Sequence, residues 1–208
     1  MTRPGPQGRY AGRSAEERRA DRRARLIEAG LEMFGTIGYA TSTVGRIAKT
    51  ANLSTRQYYE EFSSREDLLI AVYDTIQSDA ERDVGEALAS CAGKSLGDRM
   101  AAAISAHLRS TATDLRRARV AFVEIIGVNP GVEAHRLQTR RRWAAVINAL
   151  LAEAVESGEI PERDRRLAPI AFIGAVNGLA QDWCAAEDRP PLDDVIDQLS
   201  RLATALSA

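Results

Sequence analysis

Cysteine and histidine are scarce in this sequence, with two of each among 208 residues. Cys91 and Cys184 lie far apart and form no CxxC or Cys/His spacing, which argues against a structural zinc site. Two separate thiols are typical of a protein kept in the reducing cytosol. We therefore expect no metal and no cofactor. Redox control through either cysteine is an alternative, although no neighbouring residue argues for a lowered thiol pKa.

A long apolar run is also missing. The longest one, LAPIAFIGAVNGLA at residues 167–180, is too short to span a bilayer and contains Asn177. The first 13 residues are rich in Arg, Gly and Pro, and they lack the apolar region of a secretory signal. We therefore expect a soluble, cytoplasmic protein without a membrane partner.

The familiar catalytic motifs are missing as well. The sequence has no Walker loop, no HExxH motif, no ExxH pair of a di-iron bundle and no local Ser–His or Cys–His pattern. The glycines near the N-terminus follow no strand, so they do not indicate a phosphate-binding loop. We expect that the protein is not an enzyme, with an all-helical enzyme as the main rival class.

Charge is distributed unevenly along the chain. Residues 1–65 carry 12 Arg and Lys against 7 Asp and Glu, whereas residues 66–208 carry 16 against 22. The excess of basic residues in 1–65 and of acidic residues in 66–208 suggests that the N-terminal part binds a polyanion. The alternative is that the arginines only form solvated helix faces.

Apolar residues recur at helical spacing along nearly the whole chain, and no segment shows convincing strand alternation. This periodicity predicts an all-α protein of about nine helices. Clusters of Gly, Pro, Asn and Ser separate the later helices. These breaks fall at residues 93–98, 129–131, 157–162 and 187–191.

The stretch TVGRIAKTANLSTRQYYEEF, Thr43–Phe62, predicts two short helices joined by a tight turn. Ser42 or Thr43 can cap the first helix, and Ser54 can cap the second. Asn52 lies where the turn needs a residue that tolerates a left-handed φ. This arrangement is typical of a helix–turn–helix, whose second helix reads the major groove of DNA.

The second of these helices carries the chemistry of base recognition. Arg56 can bond guanine, Gln57 can bond adenine, and Thr55 can touch a thymine methyl group. Tyr58 and Phe62 are spaced one turn apart and can anchor the opposite face. An ordinary solvent-exposed helix is the alternative interpretation.

Residues 22–75 resemble the DNA-binding domain of the tetracycline-repressor (TetR/AcrR-like) family. The matching motifs are Phe34, Gly38-Tyr39, Ser42-Thr43, Ile47-Ala48, Ser54, Tyr59 with Phe62, and Ser64-Arg65-Glu66. The resemblance implies a flexible basic arm at residues 1–21, a helix–turn–helix domain at 22–68, and an effector-binding and dimerisation domain at 69–208. Beyond the motif region it covers only helix count and layout.

The resemblance also implies which residues meet double-stranded operator DNA. Thr43 and Tyr59 would hold phosphates, and Arg65 would take the place of a phosphate-binding Lys. Tyr58 departs from the family pattern, and its hydroxyl would either add a phosphate contact or point to solvent. The expected DNA contacts are Ser42, Thr43, Arg46, Ser54, Thr55, Arg56, Gln57, Tyr58, Tyr59 and Arg65.

The last two helices are expected to form a homodimer. LAPIAFIGAVNGLAQDW is apolar nearly all round, which requires burial on most sides. Its glycines allow close approach of a second helix, and such glycines cost about 1 kcal/mol each relative to Ala. A core within one chain is the alternative. The expected dimer contacts are Gly174, Gly178, Val195, Leu199 and Leu202.

The resemblance further implies that the body binds a small, mainly apolar effector, which releases the protein, as a repressor, from a palindromic operator. Glu124 lies in an otherwise apolar helix, where it either contacts the effector or pairs with an arginine of residues 140–142. His107 is either an effector contact or a core histidine. A DNA-binding protein without an effector is a further alternative. The candidate effector contacts are His107, Phe122, Glu124, Trp143, Phe172, Asn177 and Trp183.

Overall fold

A computed structural model describes residues 14–207 of the protein, and within this range it is all-α, which confirms the predicted fold class. Nine α-helices and one π-helical segment, Val120–Glu124, follow one another without a strand in the described part of the chain. The α-helices are α1 Ala15–Ile37, α2 Val44–Thr50, α3 Thr55–Glu61, α4 Arg65–Ser90, α5 Leu96–Ala112, α6 Leu115–Arg119, α7 Pro130–Glu156, α8 Ala168–Ala185 and α9 Leu192–Ser207.

Helix α1 begins earlier than the sequence pattern indicated. Ser14 caps it through a capping box, in which its hydroxyl accepts from the Glu17 amide at 3.0 Å and the Glu17 carboxylate accepts from the Ser14 amide at 2.6 Å. Residues 15–21, expected as the end of a flexible arm, are therefore helical. Residues 1–13 of that predicted arm lie outside the described residues.

Two apolar cores hold the helices together. The first core surrounds Phe34, Ile47 and Leu68 of the N-terminal helices, and it continues into the π-helical segment and α8. The second core is built by α5, α7, α8 and α9. Helix α4 runs without a break through the predicted domain boundary at residue 68, so the two parts are joined by a shared core and a continuous helix.

None of the described helices combines the length and the apolar character that crossing a membrane would need. The thiol of Cys184 is buried in the first core, and this burial raises its pKa to about 11. A raised pKa lowers the fraction of reactive thiolate, which disfavours redox control through this cysteine.

Candidate functional site

Helices α2 and α3 form the predicted helix–turn–helix. Asn52 in the turn has φ 52°, which confirms the left-handed position expected there. The turn is closed by a hydrogen bond of 2.8 Å from the Leu53 amide to the Ala48 carbonyl. Ser54 caps α3 through a capping box with Gln57. The second helix therefore starts at a fixed angle to the first.

The outward surface of this motif carries most of the expected DNA contacts. Arg56 has 90% of its side chain exposed, and within the described residues it forms an ion pair with Glu60 of its own helix at 3.3 Å. Tyr59 is 55% exposed. Lys49, one turn after Arg46, is also exposed and was not singled out from the sequence. The exposed candidates are Thr43, Arg46, Ser54, Thr55, Arg56 and Tyr59.

Two of the expected contacts are buried instead. Tyr58 is fully buried, its hydroxyl donates to the Ser64 carbonyl at 3.0 Å, and burial raises its pKa well above the ordinary value. The expectation of a phosphate contact or a solvent-facing hydroxyl at Tyr58 is wrong. Ser42 is also fully buried, and its hydroxyl donates to the Gly38 carbonyl at 2.7 Å. Ser42 therefore shapes the loop before α2 and does not face DNA.

Two further candidates are engaged within the protein. The Gln57 side-chain oxygen accepts from the Ser54 amide at 2.9 Å, so the adenine-reading role expected of Gln57 competes with its role in the cap. The Arg65 guanidinium donates to the carbonyls of Tyr39, at 3.2 Å, and Ser42, at 2.6 Å. It also lies 4.1 Å over the Tyr39 ring, so Arg65 fixes the loop before α2. Both hydrogen bonds use Nη1, and a phosphate contact through the rest of the guanidinium stays a prediction.

Part of the basic charge of α1 is likewise used internally. Arg22 donates to the Glu61 carboxylate at 2.9 Å, and Arg23 lies 4.4 Å over the Phe62 ring. Arg25 donates to the Asn52 carbonyl at 2.9 Å. These contacts tie α3 and the turn to α1. Sequence reasoning assigned these arginines to general basic charge, because their partners lie 27 to 39 residues away.

Replacement of Arg56 by alanine should weaken binding to the specific operator by about 1–3 kcal/mol, because a bidentate contact between its exposed guanidinium and a base would be lost. The affinity should fall for the operator duplex and not for a scrambled duplex. The preference for one base at one operator position should also be relaxed. Fluorescence anisotropy with operator and scrambled duplexes measures both affinities. Arg166→Ala, which removes an arginine 87% exposed beside Asp164, is the matched control. An equal loss on both duplexes would assign Arg56 to phosphate instead.

A cavity of about 60 Å³ lies in the body, between α4, α5, α7 and α8. Four of the candidate effector contacts line it: His107, Trp143, Phe172 and Asn177. None of its lining residues carries a formal charge at neutral pH when His107 is neutral. This volume has room for a few water molecules, so a larger ligand requires the wall to open.

His107 is the unusual group in this wall. The residue is partly buried, and its Nδ1 atom is buried without a hydrogen-bond partner within the described residues. Burial lowers the pKa of His107 to about 4, so the imidazole is neutral at physiological pH. Two other polar atoms of the wall have partners, since Trp143 Nε1 donates to Gln77 at 2.8 Å and Asn177 Nδ2 donates to the Ile173 carbonyl at 2.7 Å.

The remaining effector candidates lie outside the cavity wall. Phe122 packs edge-on against His107 with ring centroids 6.4 Å apart. Trp183 donates to the Pro190 carbonyl at 2.9 Å and packs between the two cores. Glu124 pairs with Arg119 at 3.1 Å and accepts from the Tyr39 amide at 2.7 Å. Both expectations for Glu124, an effector contact or a pair with residues 140–142, are therefore wrong.

The expected dimer contacts are divided between two faces. Val195 and Leu199 are 5% and 2% exposed and belong to the second core, so their assignment to an interface is wrong. Leu202 is 41% exposed, and Gly178 has open space where a Cβ would stand. Helix α8 and its N-terminal cap present further apolar surface, with Leu167 76% and Ile170 58% exposed.

Two family models match the chain. The model described as "Bacterial regulatory proteins, tetR family" matches residues 26–72, which include the helix–turn–helix. The model described as "Tetracyclin repressor-like, C-terminal domain" matches residues 93–206, which include most of the cavity wall.

Known proteins show the same likeness. The chain is 26% identical to the fatty acid metabolism regulator protein of Bacillus subtilis (strain 168) over 163 residues, covering 76% of this chain and 81% of the relative. It resembles the crystal structure of the Bacillus subtilis transcriptional regulator FadR in complex with stearoyl-CoA, with a TM-score of 0.77, 25% identity, and 86% and 96% of the two chains covered. The structure of AibR with isovaleryl coenzyme A and operator DNA shares the fold, with a TM-score of 0.66, 15% identity, and 87% and 97% covered.

Proposed function

Since this chain belongs to the tetracycline-repressor family, it is a ligand-responsive, DNA-binding transcriptional regulator, and we propose that a fatty acyl thioester releases it from its operator. The exposed side chains of α2 and α3 would bind the operator. The cavity in the body would bind the acyl chain after its walls open, because its volume in this structure is only about 60 Å³. The family relationship disfavours the rival interpretation as an enzyme, and a DNA-binding regulator of this kind would act in the cytoplasm.

One observation carries the choice of ligand: the cavity wall is apolar apart from His107 and Asn177, and Nδ1 of His107 is buried without a hydrogen-bond partner in the described part of the chain. An apolar chain can fill such a wall, and a neutral carbonyl oxygen can accept a hydrogen bond from the Nδ1-protonated tautomer. A free carboxylate would be costly there because no cation lines the cavity. The relative named for fatty acid metabolism and the FadR structure with stearoyl-CoA support the same ligand class.

The active form would be a homodimer that uses the outward face of α8. Leu167 and Ile170 offer exposed apolar surface there, and Gly178 would let a partner helix approach closely. Leu202 of α9 lies exposed and would extend this surface. Two copies related by a twofold axis would place two α3 helices on a palindromic operator.

Stearoyl-CoA should weaken operator binding by at least tenfold, within the 5–150-fold range typical of coupled sites, roughly 1–3 kcal/mol. The operator is first obtained by selecting bound duplexes from a random pool at physiological salt. Anisotropy titrations then compare stearoyl-CoA, isovaleryl-CoA, free stearate and CoA alone. Release by stearate as effective as that by stearoyl-CoA would contradict the thioester. The absence of release by either acyl-CoA would contradict the proposed ligand class.

The His107→Leu variant serves in the same titration. It should bind stearoyl-CoA up to about tenfold more weakly, because the hydrogen bond of about 0.5–1.5 kcal/mol is lost.

The His107→Leu variant should also be more resistant to acid unfolding than the wild type. In the wild type the pKa of His107 is 6.5 in the unfolded chain and about 4 in the folded protein. Between these pH values the unfolded state binds more protons, so the free energy of unfolding falls as the pH drops through this window. Unchanged stearoyl-CoA affinity in His107→Leu would show that His107 does not contact the ligand.

A further inference from the structure

The π-helical segment Val120–Glu124 touches both functional parts of the protein. A π-helical turn is rare and is frequently found at functional sites. On one side, Phe122 is buried and packs edge-on against His107 of the cavity wall, with ring centroids 6.4 Å apart. On the other side, Glu124 faces the loop between α1 and α2. Only one residue separates Phe122 from Glu124 in the sequence.

Glu124 closes the end of helix α1. One carboxylate oxygen accepts from the Tyr39 amide at 2.7 Å, and the other accepts from Arg119 at 3.1 Å. Arg119 also donates to the Thr36 carbonyl at 3.3 Å. Gly38, which lies between Thr36 and Tyr39 in the sequence, has φ 87°, and a Cβ there would lie 3.3 Å from the Glu124 carboxylate. The loop is therefore shaped to receive this carboxylate closely.

Tyr39 links Glu124 to residues that hold the helix–turn–helix. Its carbonyl accepts from Arg65 at 3.2 Å, and its hydroxyl donates to Glu66 at 2.5 Å. Arg65 also holds the Ser42 carbonyl at 2.6 Å, directly before Thr43, the cap of α2. A shift of the π-helical segment would thus move the start of the helix–turn–helix through a short series of bonded groups.

We propose that Glu124 is the positioning residue that couples the effector cavity to the DNA-binding helices. This inference depends on the proposed function, because it assumes that a ligand in the cavity displaces His107 and Phe122. The displacement changes the Glu124 contact with the Tyr39 amide, and so changes the position of α2 and α3. The route is distinct from a movement of the long helix α4.

The test measures operator affinity with and without saturating stearoyl-CoA in wild type, Glu124→Ala and Glu124→Gln. In Glu124→Ala, saturating stearoyl-CoA should change the operator affinity by less than twofold, whereas it weakens that of the wild type at least tenfold. The affinity of the DNA-free protein for stearoyl-CoA should stay within twofold of the wild type. Glu124→Gln keeps an oxygen for the Tyr39 amide and should restore part of the release. Glu133→Ala, which breaks an ion pair with Arg136 on α7, is the control and should keep full release.

Full release in Glu124→Ala, or equal loss in Glu133→Ala, would overturn the inference while leaving the proposed function intact. Absence of release in the wild type would instead overturn the proposed ligand. A second measurement tests the coupling without any effector. Operator DNA alone should change amide hydrogen exchange across residues 118–126 in the wild type and not in Glu124→Ala, because coupling is reciprocal. No change in the wild type would overturn the coupling itself.

Discussion

Replacement of Gly35 by alanine should destabilise the protein by about 1–3 kcal/mol or more, although alanine is the better helix former. Gly35 lies in α1 against α6, and a Cβ there would stand 2.5 Å from Cβ and 2.6 Å from Cα of Arg116. These atoms are backbone or bonded directly to it, so no side-chain rotation can relieve the clash. The two helices would have to move apart. Urea unfolding followed by circular dichroism measures the loss.

Gly85→Ala is the matched control for this prediction. Gly85 also lies within a long helix, α4, but it is exposed and a Cβ there would meet no atom within 4 Å. Alanine should therefore raise the free energy of unfolding by about 1 kcal/mol through helix propensity alone. If Gly35→Ala were stabilised as much as Gly85→Ala, α6 would not pack on α1 as described.

Replacement of Tyr58 by alanine should cost about 3–5 kcal/mol of folding free energy, the range for truncating a large buried aromatic side chain. Tyr58 is fully buried, and its ring packs against Phe62 with centroids 6.0 Å apart. Tyr58→Phe removes only the hydrogen bond to the Ser64 carbonyl and should cost about 1 kcal/mol. Operator affinity of the folded Tyr58→Phe protein should stay close to that of the wild type.

The neighbouring residue Tyr59 serves as the comparison, because its replacement should affect operator binding and not stability. Tyr59 is 55% exposed, so Tyr59→Ala should change stability by less than about 0.5 kcal/mol, as is usual for surface positions. We expect it to weaken operator binding instead, because a phosphate contact would be lost. If Tyr58→Phe lost operator binding while stability stayed unchanged, its hydroxyl would meet DNA and not the Ser64 carbonyl.

Several assignments could be made from local sequence because the groups that decide them are close together along the chain. The position of Asn52 in the turn, with φ 52°, follows from the few residues around it. The cap of α3 likewise links Ser54 to Gln57, three residues on. Helical periodicity is also local, which is why the all-α architecture and the helix–turn–helix were predictable.

The assignment of individual side chains to a surface was less predictable. Tyr58 and Tyr59 are adjacent tyrosines with the same chemistry, yet one is fully buried and the other is 55% exposed. Periodicity places Tyr58 with Phe62 on one face, but the carbonyl that receives its hydroxyl belongs to Ser64, beyond the end of α3. Val195 and Leu199 show the same limit, because an apolar stripe does not reveal whether its partner lies in the same chain or in a second one.

The sequence by itself determined the helical architecture, the DNA-binding motif and the family resemblance, since each depends on residues near one another in the chain. The tertiary structure decided which polar groups remain available for a ligand. Glu124 meets an amide 85 residues away, and Arg65 meets carbonyls 23 and 26 residues away. The Nδ1 atom of His107 is left without a hydrogen-bond partner among the described residues. Such partners are set by how the helices pack, because hydrogen bonds and burial depend on distance in space and not on distance along the chain.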